Sequence, residues 1–193
     1  MLNDRSSLLT HLATRRSGKP RDLVAPGPDM AQLREMVGLA TRTPDHGKLA
    51  PWRFVIVPDD RREALTSLIV KAYRAEKPAA GRLEIEAMQQ FARQAPALIV
   101  ALASPRPSHI PLWEQELSAG AAMMNLLHAA HALGFAAGWL TGWAAYNATV
   151  RDAFGSGDER ITGFLFIGTP GRELDERPRP DLDAVLSVWP GPA

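Results

Sequence analysis

The feature that most limits how this chain can fold is a long helical stretch, Ser108 to Leu133, with an unusually small middle. Pro111 suits its first turn, where a missing N–H costs nothing, and Gly134 suits its C-terminal cap. Between them, Ser118-Ala119-Gly120-Ala121-Ala122 carries almost no side-chain bulk. Small side chains let another helix approach closely. This helix is therefore expected at the centre of the domain or of a dimer, with the remaining elements arranged around it.

Those elements follow from periodicity and punctuation. Leu8, Leu9, Leu12 and Ala13 share one face of a first helix that ends near Arg15. Residues 18–28 are rich in Gly and Pro and read as a loop. Asp29 caps a second helix with the apolar face Leu33, Met36, Val37 and Ala40, ended by Thr43-Pro44 and Gly47. Arg53 to Val57 reads as a strand, and Asp59 or Asp60 opens a third helix that runs to about Ala75. A more polar helix spans 81–94. The continuous apolar run Ala97 to Ala103 has strand length and reads as a buried strand. The stretch Gly134 to Trp143 holds a short strand, Asn147 caps a short helix that ends at Gly155, and Ile161 to Gly168 is a strand. After a charged, Pro-rich excursion over 170–183, Ala184 to Trp189 reads as a last strand, one that either returns to its own sheet or reaches a neighbouring subunit. Helices and about five strands without regular βαβ alternation predict an α+β layered domain.

Bulk properties bound the function. The 193 residues suffice for one domain with a sizeable core, taken as 1–193. Net charge is +1, which argues against a nucleic-acid binder. There is no cysteine, so disulfides, thiolate metal sites and cysteine nucleophiles are all excluded, and a cytoplasmic setting fits. The first residues, MLNDRSSLLTHLATRRS, hold neither a signal peptide nor a membrane span. A Gly-x-Gly-x-x-Gly fingerprint, a Walker loop and a Gly-x-Ser-x-Gly elbow are all absent. A nicotinamide cofactor would have to bind transiently in a shared pocket.

Several short patterns carry chemistry. Arg15-Arg16-Ser17 combines two guanidiniums and a hydroxyl, which can grip a phosphate and leave one cation for an aromatic ring system. Alone, the pair reads first as a solvated basic helix end, where arginine favours the helix dipole. Arg42 with Pro44-Asp45-His46 places an imidazole in a loop after a helix, suited to a hydrogen bond, to proton transfer or to a simple helix end. Trp52 reads as packing, and Arg53 stays open. His128 and His131, at i and i+3, lack a third ligand at a recognised spacing, so no metal site is expected. In Gly138-Trp139-Leu140-Thr141-Gly142 the glycines allow close approach, either of a ligand to backbone amides or of a strand end beneath the long helix.

Taken in order, these pieces resemble the nitroreductase family of FMN-dependent oxidoreductases. The string runs Arg15-Arg16-Ser17, Arg42-Thr43-Pro44-Asp45-His46, Pro51-Trp52, then Pro111 to Gly120, Trp139 to Gly142 and Gly163 to Pro170, and so covers nearly the whole chain. The resemblance implies a central, mostly antiparallel sheet flanked by helices. It implies a homodimer with exchanged C-terminal strands and a tightly bound FMN at each interface. Arg15, Arg16 and Ser17 would bind phosphate, ribityl or the pyrimidine edge. Arg42 and His46 would reach the partner's flavin, and Trp139, Leu140 and Thr141 would lie against FMN. The segment Ala129, Ala130, His131, Ala132, Leu133 and Gly134 matches a stretch associated with NAD(P)H contact. The family branch carries arginine where this chain has Leu140, and Arg172 is the expected substitute cation.

The implied activity is hydride transfer from NAD(P)H through flavin N5 to nitroaromatic or quinone-type acceptors, in ping-pong order. Arg16 would stabilise charge near flavin N1. No side chain is assigned a firm catalytic role, although His46 suits proton delivery. Reductive dehalogenation or another reaction of the same fold is one alternative, and a flavin-binding redox module with little turnover is another. No membrane or nucleic-acid partner is expected.

Overall fold

The computed structural model describes residues 1–192. Two neighbouring segments form the centre of the sheet because both lack polar side chains over a strand's length. β3 (Ala97–Ala103) is buried at every residue, and β5 (Arg160–Pro170) is buried through most of its length. Alternate side chains on a strand point to opposite faces. Ile99, Ala101, Leu165 and Ile167 accordingly enter one core layer, and Leu98, Val100, Leu102, Phe164 and Phe166 enter the other. β2 (Trp52–Val57) pairs with β3, and β4 (Ala136–Leu140) pairs with β5. A two-residue β1 (Leu23–Val24) pairs with Pro170 and Thr169. All four pairings are antiparallel.

The helices divide between the faces. α2 (Met30–Ala40) and α5 (Leu112–Ala132) cover the first layer. α3 (Arg62–Glu76), α4 (Arg82–Phe91), α6 (Gly142–Tyr146) and α7 (Ala148–Asp152) cover the second. Asp29 caps α2 through a reciprocal box with Gln32. Ser7 caps α1 (Leu8–Thr14), and Asn147 caps α7. The small middle of α5 serves two surfaces. Ser118, Ala119 and Ala122 are buried within the chain, where Ser118 Oγ accepts from Trp52 Nε1 and donates to the Pro44 carbonyl. Gly120 and Ala121 face outward beside exposed Leu117 and Trp113.

Three expectations change. The loop 18–28 contains β1, too short to show a period. α6 is an additional single-turn helix after Gly142. Residues 184–189 are not a strand: a short 3-10 turn covers Leu182–Ala184, and the chain beyond it is irregular. A strand exists only through a ladder with a neighbour, and no sheet edge of this chain receives that segment. Val185, Leu186, Val188 and Trp189 are all exposed.

Candidate functional site

The loop that follows α1 is held flat on β4. Gly18 N–H donates to the Ala137 carbonyl at 3.0 Å, and Asn3 ties down both sides of Arg16 through its side-chain amide. Gly138 makes this possible, because a Cβ there would run into the Gly18 carbonyl. Arg15, Arg16 and Ser17 are thereby fixed, half-buried, against the end of the sheet, with Arg15 Nη1 donating to Ser17 Oγ at 3.3 Å.

Arg15 and Ser17 join Trp139 and Thr141 around a cavity of about 400 Å³, floored by Met124 and Leu127 of α5. That volume lies within the range of small-molecule sites. Residues 139 and 141 share a face of the chain, as the strand period requires. Leu140 faces the other way and packs into the second core layer, so only its backbone is available on the cavity side. Trp139 is pinned by a hydrogen bond from Nε1 to the Thr162 carbonyl. Gly163 makes room for its indole. An aromatic wall, an apolar floor and a guanidinium–hydroxyl pair fit an amphiphilic aromatic ligand bearing an anion.

Arg16 is turned away from this cavity. With Ser17, Lys19 and Arg172 it lines an adjoining cleft of about 20 Å³, and its Nε donates to the Asp175 carbonyl at 2.7 Å. Arg172 is bridged to Asp22 at 2.7 Å. Arg15, rather than Arg16, is the cation beside the aromatic wall.

The remaining predicted residues lie apart. Arg42 is exposed, and His46 sits at the far end of α5, where its Nδ1 is 2.7 Å from Glu114 Oε2. Glu114 and Leu127 are thirteen positions apart along the helix, or roughly 20 Å. Within one chain, His46 and the cavity are therefore separate. Of the segment 129–134, Ala129, Ala130 and His131 are buried. Only His131 and Gly134 border a further cavity of about 360 Å³, shared with Arg5 and Arg172. Arg53 is a structural residue: it pairs with Glu159 at 3.0 Å, and this contact holds the Glu159 carboxyl down to about 2.

The structure also brings a third imidazole to His128 and His131. His11 Nε2 lies 2.8 Å from His128 Nδ1, and the His11 and His131 rings are 5.7 Å apart. Burial holds all three below their ordinary value, His131 at about 3. Among the described residues, no group of three or more His, Asp or Glu is arranged to hold a metal ion. A separation of 117 residues hid His11 from the spacing argument.

An antiparallel sheet between two helical layers, with a basic and aromatic cavity at one end of the sheet, places the chain among the layered α+β proteins. The family model described as the nitroreductase family matches residues 12–169, and the chain belongs to that family. A Haemophilus influenzae protein named "Putative NAD(P)H nitroreductase" is 38% identical over 88% of this chain and 91% of its own length. "Putative NAD(P)H nitroreductase YdjA" of Escherichia coli is 34% identical over 77% of this chain and 81% of its own length. Among solved structures, a nitroreductase-like family protein from Bacillus cereus superposes with a TM-score of 0.80 at 21% identity, covering 99% of this chain and 100% of that one. The FMN and NADPH-dependent nitroreductase NfnB of a Sphigopyxis strain gives 0.73 at 23% identity, covering 96% and 99%. At these identities, the likeness to solved structures establishes the fold.

Proposed function

We propose that the 193-residue chain acts as one FMN-dependent NAD(P)H oxidoreductase domain in a cytoplasmic homodimer. The observation that carries this reading is the convergence of Arg15, Ser17, Trp139 and Thr141 on one cavity above Met124 and Leu127. The chemistry that FMN supplies when bound is hydride acceptance at N5 from NAD(P)H and hydride delivery to a nitroaromatic or quinone-type acceptor, in ping-pong order.

The chain's own residues do the rest. Trp139 is locked by its bond to Thr162 and offers a fixed wall for a planar ring. Met124 and Leu127 add apolar surface to the same cavity. Arg15 would hold the group through a fixed positive charge, which is suited to stabilising negative charge without reorganisation. Ser17 and Arg16 extend the polar strip toward a phosphate. His46 lies too far along α5 to serve the cavity of its own chain, which supports a role for it, together with the exposed Arg42, at the partner's cavity. His46, braced by Glu114, is suited to hold a proton there. The exposed apolar residues of α1 and of the C-terminal segment support exchange of that segment between subunits.

The decisive experiment is the visible absorption spectrum of the purified protein, with mass analysis of the chromophore released on denaturation. Bound FMN that bleaches anaerobically with NADPH or NADH is the expected result. A colourless protein that also fails to take up added FMN overturns the reading.

A further inference from the structure

The aromatic wall of the cavity ends in an abrupt turn. Trp139 and Thr141 line the cavity, and directly after them β4 gives way to α6. Gly142, the first residue of α6, is in the left-handed region at φ +65°, a conformation that suits glycine. Thr141 gives the start of α6 no side-chain hydrogen bond. A helix of five residues makes too few internal bonds to hold itself in place. Its buried residues are Ala144 and Ala145, and two methyl groups fill space without fixing an orientation. α6 has to be held from outside.

One carboxylate does this. Glu76, the last residue of α3, accepts from Trp143 Nε1 at 2.9 Å on one oxygen and from Asn147 Nδ2 at 2.9 Å on the other. The two donors bracket α6: Trp143 is its second residue, and Asn147 follows its last. The Trp143 ring is set further by Tyr73 of α3, edge to face with centroids 4.8 Å apart. Asn147 uses its amide oxygen to cap α7 on the Val150 N–H, so its amide cannot turn without losing a bond. Tyr73 in turn donates to Glu84, whose other oxygen takes the Gly81 N–H at the start of α4. The bonds from Trp143 and then Asn147 hold the Glu76 carboxyl below its ordinary value, so at neutral pH it is the charged acceptor that both donors need. Neither Glu76 nor its two donors line the cavity.

We infer that Glu76 is a positioning residue for the cavity: by accepting from Trp143 and Asn147 together it moors α6 to α3, and through Gly142 it fixes Thr141 and the end of the aromatic wall. It touches neither flavin nor acceptor. The consequence for flavin rests on the function proposed above; the mooring of α6 does not.

Two readouts on the full-length protein test this. Hydrogen exchange followed by mass spectrometry, without flavin, reports the mooring. Glu76→Ala is expected to speed exchange over residues 139–147 and to leave residues 62–72 of α3 protected. Fluorescence titration with FMN reports the consequence. Glu76→Ala is expected to weaken FMN by about ten-fold, and Glu76→Gln, which keeps one acceptor oxygen, by only about three-fold, the range of one or two net hydrogen bonds. Trp143→Phe keeps the ring on Tyr73 and removes the donor. It should weaken FMN by about three-fold alone and add nothing to Glu76→Ala, since the two changes break the same contact. Unchanged exchange over 139–147, or exchange that rises equally along α3, overturns the inference. So does faster exchange over 139–147 with FMN binding unaltered in a protein whose wild type binds it. If the wild type takes up no FMN, the flavin reading falls, and exchange alone decides the mooring: faster exchange confined to 139–147 upholds it, and unchanged exchange overturns it.

Discussion

α1 announces itself in the sequence by an apolar stripe at helical spacing and α5 by its end signals and small middle, and the folded chain treats the two differently. α5 buries ten residues, among them Met123, Leu126 and Leu127, between α2 and the sheet. α1 buries one residue, His11, while Leu8, Leu9 and Leu12 are 75%, 78% and 54% exposed. A helical period shows that a face is apolar; it does not say whether this chain or another molecule covers it. The α1 leucines, like Val188 and Trp189, are surface that a second subunit is suited to cover.

The sharpest way to break this comparison is a matched pair of truncations. Leu126→Ala should cost about 2–5 kcal/mol in denaturant unfolding, through lost transfer energy and the cavity left behind. Leu9→Ala should leave the unfolding of the isolated chain within about 0.5 kcal/mol, while raising the dissociation constant of the proposed dimer in analytical ultracentrifugation. A large monomer destabilisation by Leu9→Ala would mean that the α1 stripe is covered by its own chain.

A smaller effect should come from the place where the loop after α1 and β4 are forced together. Any Cβ at Gly138 collides with the Gly18 carbonyl, a backbone atom that cannot rotate away. Gly138→Ala should therefore lift the Ser17-Gly18 loop from β4, break the Gly18–Ala137 bond and cost about 1–3 kcal/mol as overpacking. Flavin binding should fall further than stability does, because Arg15 and Ser17 move together. Equal loss of both by the measured unfolding and titration curves would reduce Gly138 to a packing position.

How much was readable in advance divides along the same line. β3 lies at Ala97–Ala103, as its unbroken apolar run predicts, and α5 is trimmed by only a few residues at its start. Both are fixed by local pattern. β1 has two residues and no period, and residues 184–189 have strand composition but no neighbour to pair with. Within the site, Arg15-Ser17 and Trp139-Thr141 were legible as motifs because each is contiguous. That Arg15 rather than Arg16 faces Trp139, and that Leu140 turns to the opposite layer, follows from side-chain direction, which a motif does not carry. The contacts of Arg16 with Asp175 and Glu176 span about 160 residues, beyond any spacing rule.

The last prediction concerns what holds α1 in place, and its effect is spread over pH. The helix docks through His11 onto His128 and His131, where Arg15 adds positive charge and His131 has no partner for either ring nitrogen. Burial comes first, then these neighbouring charges, in keeping the rings neutral, His131 at about 3 against an ordinary 6.5. A base with a lowered folded value binds its proton more readily when unfolded. Its contribution to stability is complete above pH 6.5 and drains away as the pH falls toward 3, at up to about 1.4 kcal/mol per unit for each proton. Glu159 drains later: a carboxyl held at about 2 keeps its full contribution down to about its ordinary 4.5. The interval from 6.5 to 4.5 thus isolates the histidines. His131→Phe keeps a buried aromatic ring and removes one proton site, so the slope of unfolding free energy against pH in that interval should flatten. An unchanged slope would show that α1 is held by something other than its neutral imidazoles, and would move its docking toward the ordinary packing seen beneath α5.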